Sequence, residues 1–571
     1  MKIITLHCDY IKFKPLKKAL KSAELGKGED KEKEIKEPLV VLTAFEEGDL
    51  AENIPKLIEN IKDIARQVKS ENIVLYPYAH LSSNLASPET AKELLEKAAA
   101  LLKKEFKIVE KAPFGYYKEF ELKVKGHPLS ELSRQINSEE KKDYKKTEAK
   151  EEKYDYKRLL KEISKIKLDN SKLKENDHRI LGQKMDLLSF SEVAPGMVFW
   201  HNNGLIIYNE LINYWREIHE QAGYQEISTP QILDEKLWKI SGHWEKYKDN
   251  IFLTEYENRK FAVKPMNCPG GMLVYKNKPK SYKELPLRVG ELGIVHRQEL
   301  SGVLAGLFRL VKFTQDDAHI FCTEEQVEKE IENIMKLIDE LYSKFGFSYH
   351  VELSTRPEKR IGDESLWNLA EKILEKVLKN KKRDYKINKG DGAFYGPKID
   401  FHIKDSLGRT WQCATIQLDF AMPERFDLTY IDNYNREQRP VMIHRVLYGS
   451  IERFIGILLE HTNGMLPTWL APIQIRMINF TDRNTEQAKR VIEKLKKEIP
   501  ALRIDSDFNS VPLNGKIREA EIQRIPYIIV VGDKEEKENT LAVRKRGDKQ
   551  IVSESIEKFI KSIKEEIKER K

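Results

Sequence analysis

The chain is poor in cysteine. Cys8, Cys268, Cys322 and Cys413 are the only four among 571 residues, widely spaced and without a Cys-x-x-Cys pair. This excludes a disulfide-stapled scaffold and any zinc-finger spacing, and it predicts a reducing, cytoplasmic setting in which a cysteine acts as a metal ligand or a core residue. Long apolar runs are also missing. A helical membrane span needs about 18 or more apolar residues and none is present. No secretory leader is expected, because Met1-Lys2 runs straight into an alternating segment. There is no internal repeat of roughly 20–50 residues. Charge of one sign is lacking too: the net charge of +8, among 34% charged residues, is compatible with a nucleic-acid partner without demanding one. The abundance of Lys and Glu also fits a protein built for high temperature. What remains is length, too great for one core, which predicts roughly three or four domains.

Residues 1–136 read as a small α/β domain. Lys2–His7, Leu39–Phe45 and Asn72–Pro77 have strand patterns, as does Phe114–Val124. Leu57–Lys69 and Thr90–Glu105 have helical spacing, the second with Ser87-Pro88-Glu89 as its start signal. Three polar clusters stand at strand or loop ends, where open α/β sheets place ligands: Tyr76-Pro77-Tyr78-Ala79-His80, Phe114-Gly115-Tyr116-Tyr117-Lys118 and Gly126-His127-Pro128-Leu129-Ser130-Glu131. Polar turn residues account for such clusters equally well by spacing. Cys8 reads as a core residue in a strand. Residues 137–182 form a charged linker. Asn137–Lys153 is almost all Lys, Glu and Asp, a solvated helix or tether, and a short amphipathic helix follows from Leu159 to Ile166.

The densest chemistry lies in residues 183–470. His296-Arg297-Gln298-Glu299 is followed by a loop with Gly302 and Gly306, then Arg309, then Phe313-Thr314-Gln315-Asp316-Asp317-Ala318-His319. The pattern reads as two strands joined by a loop. Burying one unpaired polar group costs on the order of 2–7 kcal/mol, so so many must face either water or a ligand. The interleaved Leu307, Phe308, Leu310, Val311 and Phe313 favour the ligand. Upstream, Asn209–Ala222 is an amphipathic helix ended by Gly223 and followed by an extended Tyr224–Pro230, a combination found in many folds. Lys264-Pro265-Met266-Asn267-Cys268-Pro269 reads as a loop. Downstream, Gly-rich loops enter two strands, Lys398-Ile399-Asp400-Phe401 and Trp411-Gln412-Cys413-Ala414-Thr415-Ile416-Gln417-Leu418-Asp419. Cys413 reads as packing. His444-Arg445-Val446-Leu447-Tyr448-Gly449-Ser450 then opens a helix carrying Glu452-Arg453-Phe454.

Arg-x-Glu, a loop, a second Arg, and the later Glu-Arg-Phe helix resemble motifs 2 and 3 of class II aminoacyl-tRNA synthetases. The run Phe-Thr-Gln-Asp-Asp-Ala-His is similar to that of the threonyl-tRNA synthetases. The clusters in residues 1–136 resemble the archaeal-type editing domain of that family, akin to D-aminoacyl-tRNA deacylases. The resemblance implies a multidomain α/β and α+β protein: an antiparallel class II catalytic core flanked by an N-terminal α/β editing domain and a C-terminal α/β anticodon-binding domain. It implies an ATP set of Arg297 on the α-phosphate, Arg309 and Arg453 on the γ-phosphate, Phe313 stacked on adenine, and Glu299 and Gln412. Arg297, Arg453 and His243 would act in catalysis, His243 in the transfer step. Met266, Gln315, Asp317, Tyr395, Lys398 and Gln417 would line the amino-acid site. Cys268, His319 and His444 would bind one zinc ion, with Mg²⁺ accompanying ATP. In the editing domain Ala79, His80, Tyr117, Lys118 and Glu131 would surround mischarged seryl-tRNA, with water and the tRNA 2′-hydroxyl doing the chemistry. The helix before Gly223 would build a homodimer interface. Ala305 and Lys312 depart from many relatives in the motif 2 loop and would affect only how it meets the tRNA acceptor end.

Such a pairing of sites has a physical logic. Valine differs from threonine by a methyl in place of the hydroxyl, and a site that ligates the hydroxyl can reject the analogue lacking it by roughly 10⁴–10⁵. Serine keeps both ligating groups and lacks one methyl, worth only about 1–3 kcal/mol, so a second, hydrolytic site is needed. Residues 471–571 alternate strand and helix, with Pro472–Asn479 and Tyr527–Val531 as buried strands, helices over Glu486–Glu498 and Ile517–Gln523, and Leu541–Arg546 as a basic edge strand. They resemble the anticodon-binding domain of several class II synthetases, with Lys516, Arg544, Lys545 and Arg546 as phosphate contacts. The expected function is a threonine–tRNA ligase with editing, acting on tRNA, ATP and L-threonine. The alternative is a non-catalytic RNA-binding paralogue; a synthetase for another amino acid does not suit Asp317 and the Cys/His/His set.

Overall fold

The computed structural model describes residues 1–20, 23–26, 28–82, 84–136, 155–163, 173–257, 259–548 and 550–570. The chain divides into two compact units, Met1–Lys153 and Tyr154–Lys571. The tether expected at 137–153 lies outside the described residues, as does 164–166 of the short helix after it; the described part of that helix is Tyr156–Ile163.

In the first unit the opening strand runs much further than its hydrophobic alternation suggests, from Lys2 to Lys18. Its first half pairs antiparallel with Pro38–Ala44 and Glu131–Gln135, and its second half with Lys33–Lys36 and Tyr116–Val124. Pro38–Ala44, Asn72–Pro77 and Ile108–Lys111 are mutually parallel. Strand alternation splits the apolar residues between two layers. Leu39, Val41, Ile73 and Leu75 meet the helices Ile54–Val68 and Pro88–Leu102, while Val40, Val74, Ile11, Phe13 and Cys8 pack on the opposite face. Cys8 is thus a core residue. The Ser87 hydroxyl caps the second helix by accepting the Thr90 N–H at 3.2 Å, satisfying one otherwise orphaned donor.

The second unit is built on an eight-stranded sheet, antiparallel except at its two ends. Its order is Gln225–Glu226, Leu287–His296, Lys312–Cys322, Val441–Val446, Thr410–Asp419, Lys398–Lys404, Ser348–Ser354 and Tyr385–Asn388. Helices Asn202–Gln221, Val327–Lys344, Glu364–Asn380 and Ile451–Thr462 bury one face of it through Ile207, Leu211, Trp215, Ile334, Leu374 and Phe454. The other face carries the polar residues. Helix Asn202–Gln221 starts seven residues earlier than the Asn209 expected, because Asn202-Asn203-Gly204 continues the turn. The extended stretch after it pairs only over Gln225–Glu226. Helix His178–Lys184 packs into the core through Leu181, as does Met185 just after it, so the core begins before the linker end expected at 182. Cys268 is not on a loop: it is the first residue of helix Cys268–Lys276, with Pro269 in the first turn, where a missing N–H costs nothing.

The C-terminal region forms a five-stranded sheet, ordered Ile504–Asp507, Ile475–Asn479, Tyr527–Val531, Thr540–Lys545 and Val552–Ser555, with the first three parallel. Thr540–Lys545 is therefore an interior strand, contrary to expectation. The short polar strand Val552–Ser555, which carries too little apolar alternation to be recognised in sequence, covers its outer side. Arg503 ties this sheet to the core, donating to Glu210 at 2.9 Å.

One buried ion pair fixes the segment that delivers Cys268. Lys264 Nζ, fully buried, donates to Glu291 Oε1 and to Thr229 Oγ1, each at 2.9 Å, while the Thr229 N–H donates to the same Glu291 oxygen. Removing one partner of a buried pair leaves an uncompensated charge and costs about 3–5 kcal/mol. Lys264→Met is expected to destabilise the core by about that amount in denaturant titrations followed by tryptophan fluorescence, and adding Glu291→Gln should restore part of the loss.

Candidate active site

Strand register assembles the site. Cross-strand partners Val289, His319, His444, Gln417, Lys398 and Ser354 form one row across six strands. Along Lys312–Cys322 the side chains alternate: Phe313, Gln315 and Asp317 reach an open cavity of about 630 Å³, while Thr314 and Asp316 are buried on the other side. Asp316 accepts the N–H groups of Leu447, Tyr448 and Gly449 at 2.8–3.0 Å. Glu452 accepts the Thr314 N–H at 2.9 Å, and the Ser450 hydroxyl caps helix Ile451–Thr462. These contacts fix the start of that helix against the strand, and so place Arg453. Burial pushes the Asp316 carboxyl up to about 7, against the pull of Arg445 and the three amides.

The cavity is lined by Met266, Arg297, Glu299, Arg309, Phe313, Gln315, Asp317, Tyr395, Lys398, Gln412, Gln417, Cys268, His444 and Arg453 among others, which brings together all but two of the core residues named from the sequence. Arg297 lies over the Phe313 ring at 5.1 Å and donates to the Pro265 carbonyl; Arg453 donates to the Phe308 carbonyl. Among the described residues neither has a carboxylate within ion-pair distance, and Arg309 holds Glu299 at 3.0 Å. Burial, with Arg297 and Arg309 nearby, presses the Arg453 pKa below the ordinary arginine value. Guanidinium groups without carboxylate partners have the charge and planar donor geometry to bind phosphate. Lys398 lies between Asp400 at 2.7 Å and Asp391 at 3.1 Å; burial works against its charge, but the two carboxylates outweigh it and raise its pKa. A register shift after Asp400 lets both Gln412 and Cys413 reach the cavity, so Cys413 is buried yet also part of its wall.

At the closed end, ligand atoms of Cys268, His319 and His444 lie within 4.8 Å of one another. His444 Nε2 is 2.9 Å from Asp419, which also accepts two amides and so orients the ring. His319 Nε2 is buried without a hydrogen-bond partner. Burial, then Asp317 and Asp419, push the Cys268 thiol well up. An orphaned imidazole nitrogen, a thiol and two nearby carboxylates suit a soft or borderline cation. Tyr395 donates to Gln417 Oε1 at 2.6 Å, and Asn267 donates to Asp317 at 3.2 Å. Gly293 makes room for Asn267, since a Cβ there would meet its side chain at 2.2 Å.

His319 sits in the wall, fully buried. His243 does not line the cavity: it is fully buried, bonded to Ser241 at 2.8 Å and packed on Phe394 and Tyr395, which do. Sequence reasoning missed Asn267, Asp400 and Asp419, and also the pair His178–Glu460. His178 Nδ1 meets Glu460 at 2.6 Å, and its Nε2 accepts the Leu307 N–H at 2.9 Å, holding the loop between the hairpin strands. No local signal joins residues this far apart. In the C-terminal region the expected phosphate contacts are committed internally: Lys516 to Asn479, Arg544 to Glu521, Lys545 to Glu566 and Arg546 to the carbonyls of Arg524 and Leu466.

In the first unit Ala79 and His80 lie exposed on a one-turn helix, and Glu131 is exposed in the strand beside Leu6. Lys118 donates to the carbonyls of Pro113 and Tyr116 and lies 5.0 Å over Tyr76, which joins it through Tyr78 to His80. Tyr117, the next residue in the strand, points to the other face under Lys17, so it does not join that group.

Three family descriptions match the chain: the Archaea-specific editing domain of threonyl-tRNA synthetase over residues 1–136, the class II tRNA synthetase core domain (G, H, P, S and T) over 252–462, and an anticodon-binding domain over 470–566. Threonine–tRNA ligases of Carboxydothermus hydrogenoformans and Clostridium tetani are 54% and 53% identical over 398 and 397 residues, 70% of this chain. The chain spans 62% of the length of those relatives. The crystal structure of the RNA binding domain of a Cryptosporidium parvum threonyl-tRNA synthetase is 39% identical, with a TM-score of 0.66, over 68% of this chain and 98% of that one. A Giardia lamblia prolyl-tRNA synthetase shares the fold at 19% identity and a TM-score of 0.56. The antiparallel sheet, its hairpin and the helix carrying Arg453 define a class II aminoacyl-tRNA synthetase core. The chain belongs to the threonyl-tRNA synthetase family.

Burial pushes the Lys118 ammonium down to about 8, while the unfolded chain keeps the ordinary value near 10.4. Between those two values the unfolded state binds more protons, so Lys118 makes the first unit more stable as pH rises from about 8 to about 10. ¹³C-methyl-lysine NMR should show one resonance, absent in Lys118→Arg, titrating near pH 8 in the folded protein.

Proposed function

We propose that the protein is a threonine–tRNA ligase with editing. It activates L-threonine with ATP, transfers the threonyl group to tRNA(Thr), and hydrolyses mischarged seryl-tRNA in residues 1–136. The observation that carries this reading is the convergence of Cys268, His319 and His444 beside Asp317, in one cavity with Arg297 and Arg453.

Cys268, His319 and His444 would hold a zinc ion, which would supply Lewis-acid ligation to the threonine amino and hydroxyl groups. Asp317, steadied by Asn267, receives the ammonium, and Tyr395, Gln417 and Met266 close around the side chain. Arg297 and Arg453 hold the triphosphate, with Arg309 at its end and Phe313 beneath adenine. A threonine carboxylate oxygen then forms a bond to the α-phosphorus as the bond to the pyrophosphate oxygen breaks. Mg²⁺ accompanies the phosphates, and the guanidinium groups stabilise charge that builds in flight, so no dedicated acid or base is required. In the second step a ribose hydroxyl at the tRNA 3′ end attacks the activated carbonyl and AMP leaves. His243 supports that step only through Phe394 and Tyr395, since it does not reach the cavity.

We further propose a division into editing over 1–136, a linker that ends before helix His178–Lys184, catalysis from that helix to 470, and anticodon recognition over 471–571, in a cytoplasmic homodimer. No helix among the described residues is long and apolar enough to cross a membrane. Amino-acid-dependent ATP–pyrophosphate exchange tests the reading. Zinc-loaded protein should exchange with threonine, to a lesser extent with serine, and almost not at all with valine. Arg453→Ala should reduce threonine exchange by roughly 10²–10³ with an unchanged circular dichroism spectrum. No exchange with any of the three from folded, zinc-loaded protein would leave an RNA-binding paralogue instead.

A further inference from the structure

Further along the last two strands of the catalytic row lies a second set of ligating side chains. His350 and Glu352 project from strand Ser348–Ser354 on the same face, and His402 projects beside them from its neighbour, directly paired with His350. The two imidazole rings stack at 4.9 Å with planes 10° apart. Glu352 spans them: one oxygen is 3.3 Å from His350 Nε2 and the other 3.5 Å from His402 Nε2. Ligand atoms of all three lie within 4.8 Å of one another. The face is partly open to solvent, with side-chain exposures of 40% for His350, 20% for Glu352 and 19% for His402.

The spacing discriminates between two explanations. A direct charge-assisted bond between imidazolium and carboxylate would bring nitrogen and oxygen to about 2.7–2.9 Å. Both contacts here are longer, and similar to each other. Zinc–nitrogen and zinc–oxygen bonds of about 2.0–2.2 Å in a tetrahedral shell set neighbouring ligand atoms about 3.4 Å apart. Each observed separation, one to either oxygen of Glu352, is close to that length. Two imidazoles with one carboxylate favour zinc, cobalt or nickel over magnesium or calcium, which prefer all-oxygen sites. The carboxylate is also held from outside, because Asn388 on the next strand donates to Glu352 at 3.2 Å. Such a supporting contact is typical of the shell behind a metal ligand.

We propose that His350, Glu352 and His402 form a second divalent transition-metal site, separate from the Cys268 set. Three protein ligands leave the solvent side for water. The ion staples strands Ser348–Ser354 and Lys398–Lys404 near the free edge of the sheet. The staple reaches the catalytic cavity through a short relay. Next to the ligands on the same two strands, Ser354 donates to Asp400, and Asp400 accepts from Lys398 and Gln412, both of which line the cavity.

The test uses untagged, full-length protein, stripped of metal and reloaded with Co²⁺ at pH 7.5. Metal content and visible spectra are compared for the unaltered chain and for His350→Gln/His402→Gln. The double variant should bind one equivalent less per chain. The lost absorption should carry no thiolate-to-cobalt charge-transfer band, which only a Cys268 site can supply. Glu352→Gln alone should weaken that same equivalent at least tenfold in chelator competition. Because the readout is the equivalent lost, it holds whether or not the Cys268 set is loaded. Equal cobalt content and superimposable spectra in the unaltered chain and the folded double variant would overturn the proposal.

Discussion

The function of the core depends on one constraint, the register of the antiparallel ladder between strands Leu287–His296, Lys312–Cys322, Val441–Val446, Thr410–Asp419 and Lys398–Lys404. Side chains alternate across a sheet, so a slip of one residue in any of these strands would turn its cavity residues into the core and its core residues outward. His319, His444, Gln417 and Lys398 come from four strands spread over more than a hundred residues, and only the ladder sets them in a row. The buried face prevents the slip, because Ile320, Ile443, Ile416 and Ile399 would lose their packing against the helices.

Polar contacts buried beneath the site then convert register into position. Asp316 and Glu452 join the hairpin to the helix that carries Arg453. The Lys264–Glu291 pair does the same for the segment leading to Cys268, and His178–Glu460 for the loop at Leu307. Each is held by two or more hydrogen bonds, concentrated in Glu291 and Glu452 on one carboxylate oxygen while the other is buried without a partner. Beside the cavity, the guanidinium groups of Arg297 and Arg453 have no carboxylate within ion-pair distance among the described residues, and the Nε2 of His319 is buried without a hydrogen-bond partner.

Parts of this were legible in the chain. The hairpin strands, the Ser450 cap and the Tyr527–Val531 strand follow from local alternation and capping residues, and the structure agrees with all three. The basic residues near the C-terminus show the opposite. Arg544, Lys545 and Arg546 look like a free cationic edge, yet Val552–Ser555 covers their strand and carboxylates or carbonyls engage each side chain. A partner that arrives from twenty residues away leaves no mark on the local pattern. Tyr117 and Lys118 look like one cluster because they are adjacent, and strand geometry sends them to opposite faces for the same reason.

Local stretches of the chain settle which segments become strands or helices, and that arginines, a cysteine, histidines and acids are available within one region. Local propensity and periodicity act over a few residues, so they are written locally. The tertiary structure decided which of those groups meet. It joined Cys268 to His319 and His444, chose Asp419 and Asn267 as their neighbours, set His243 behind the cavity wall, and brought His350, Glu352 and His402 together. Those choices rest on ladder register and helix docking, which depend on apolar packing summed over the whole domain and on no short stretch of it.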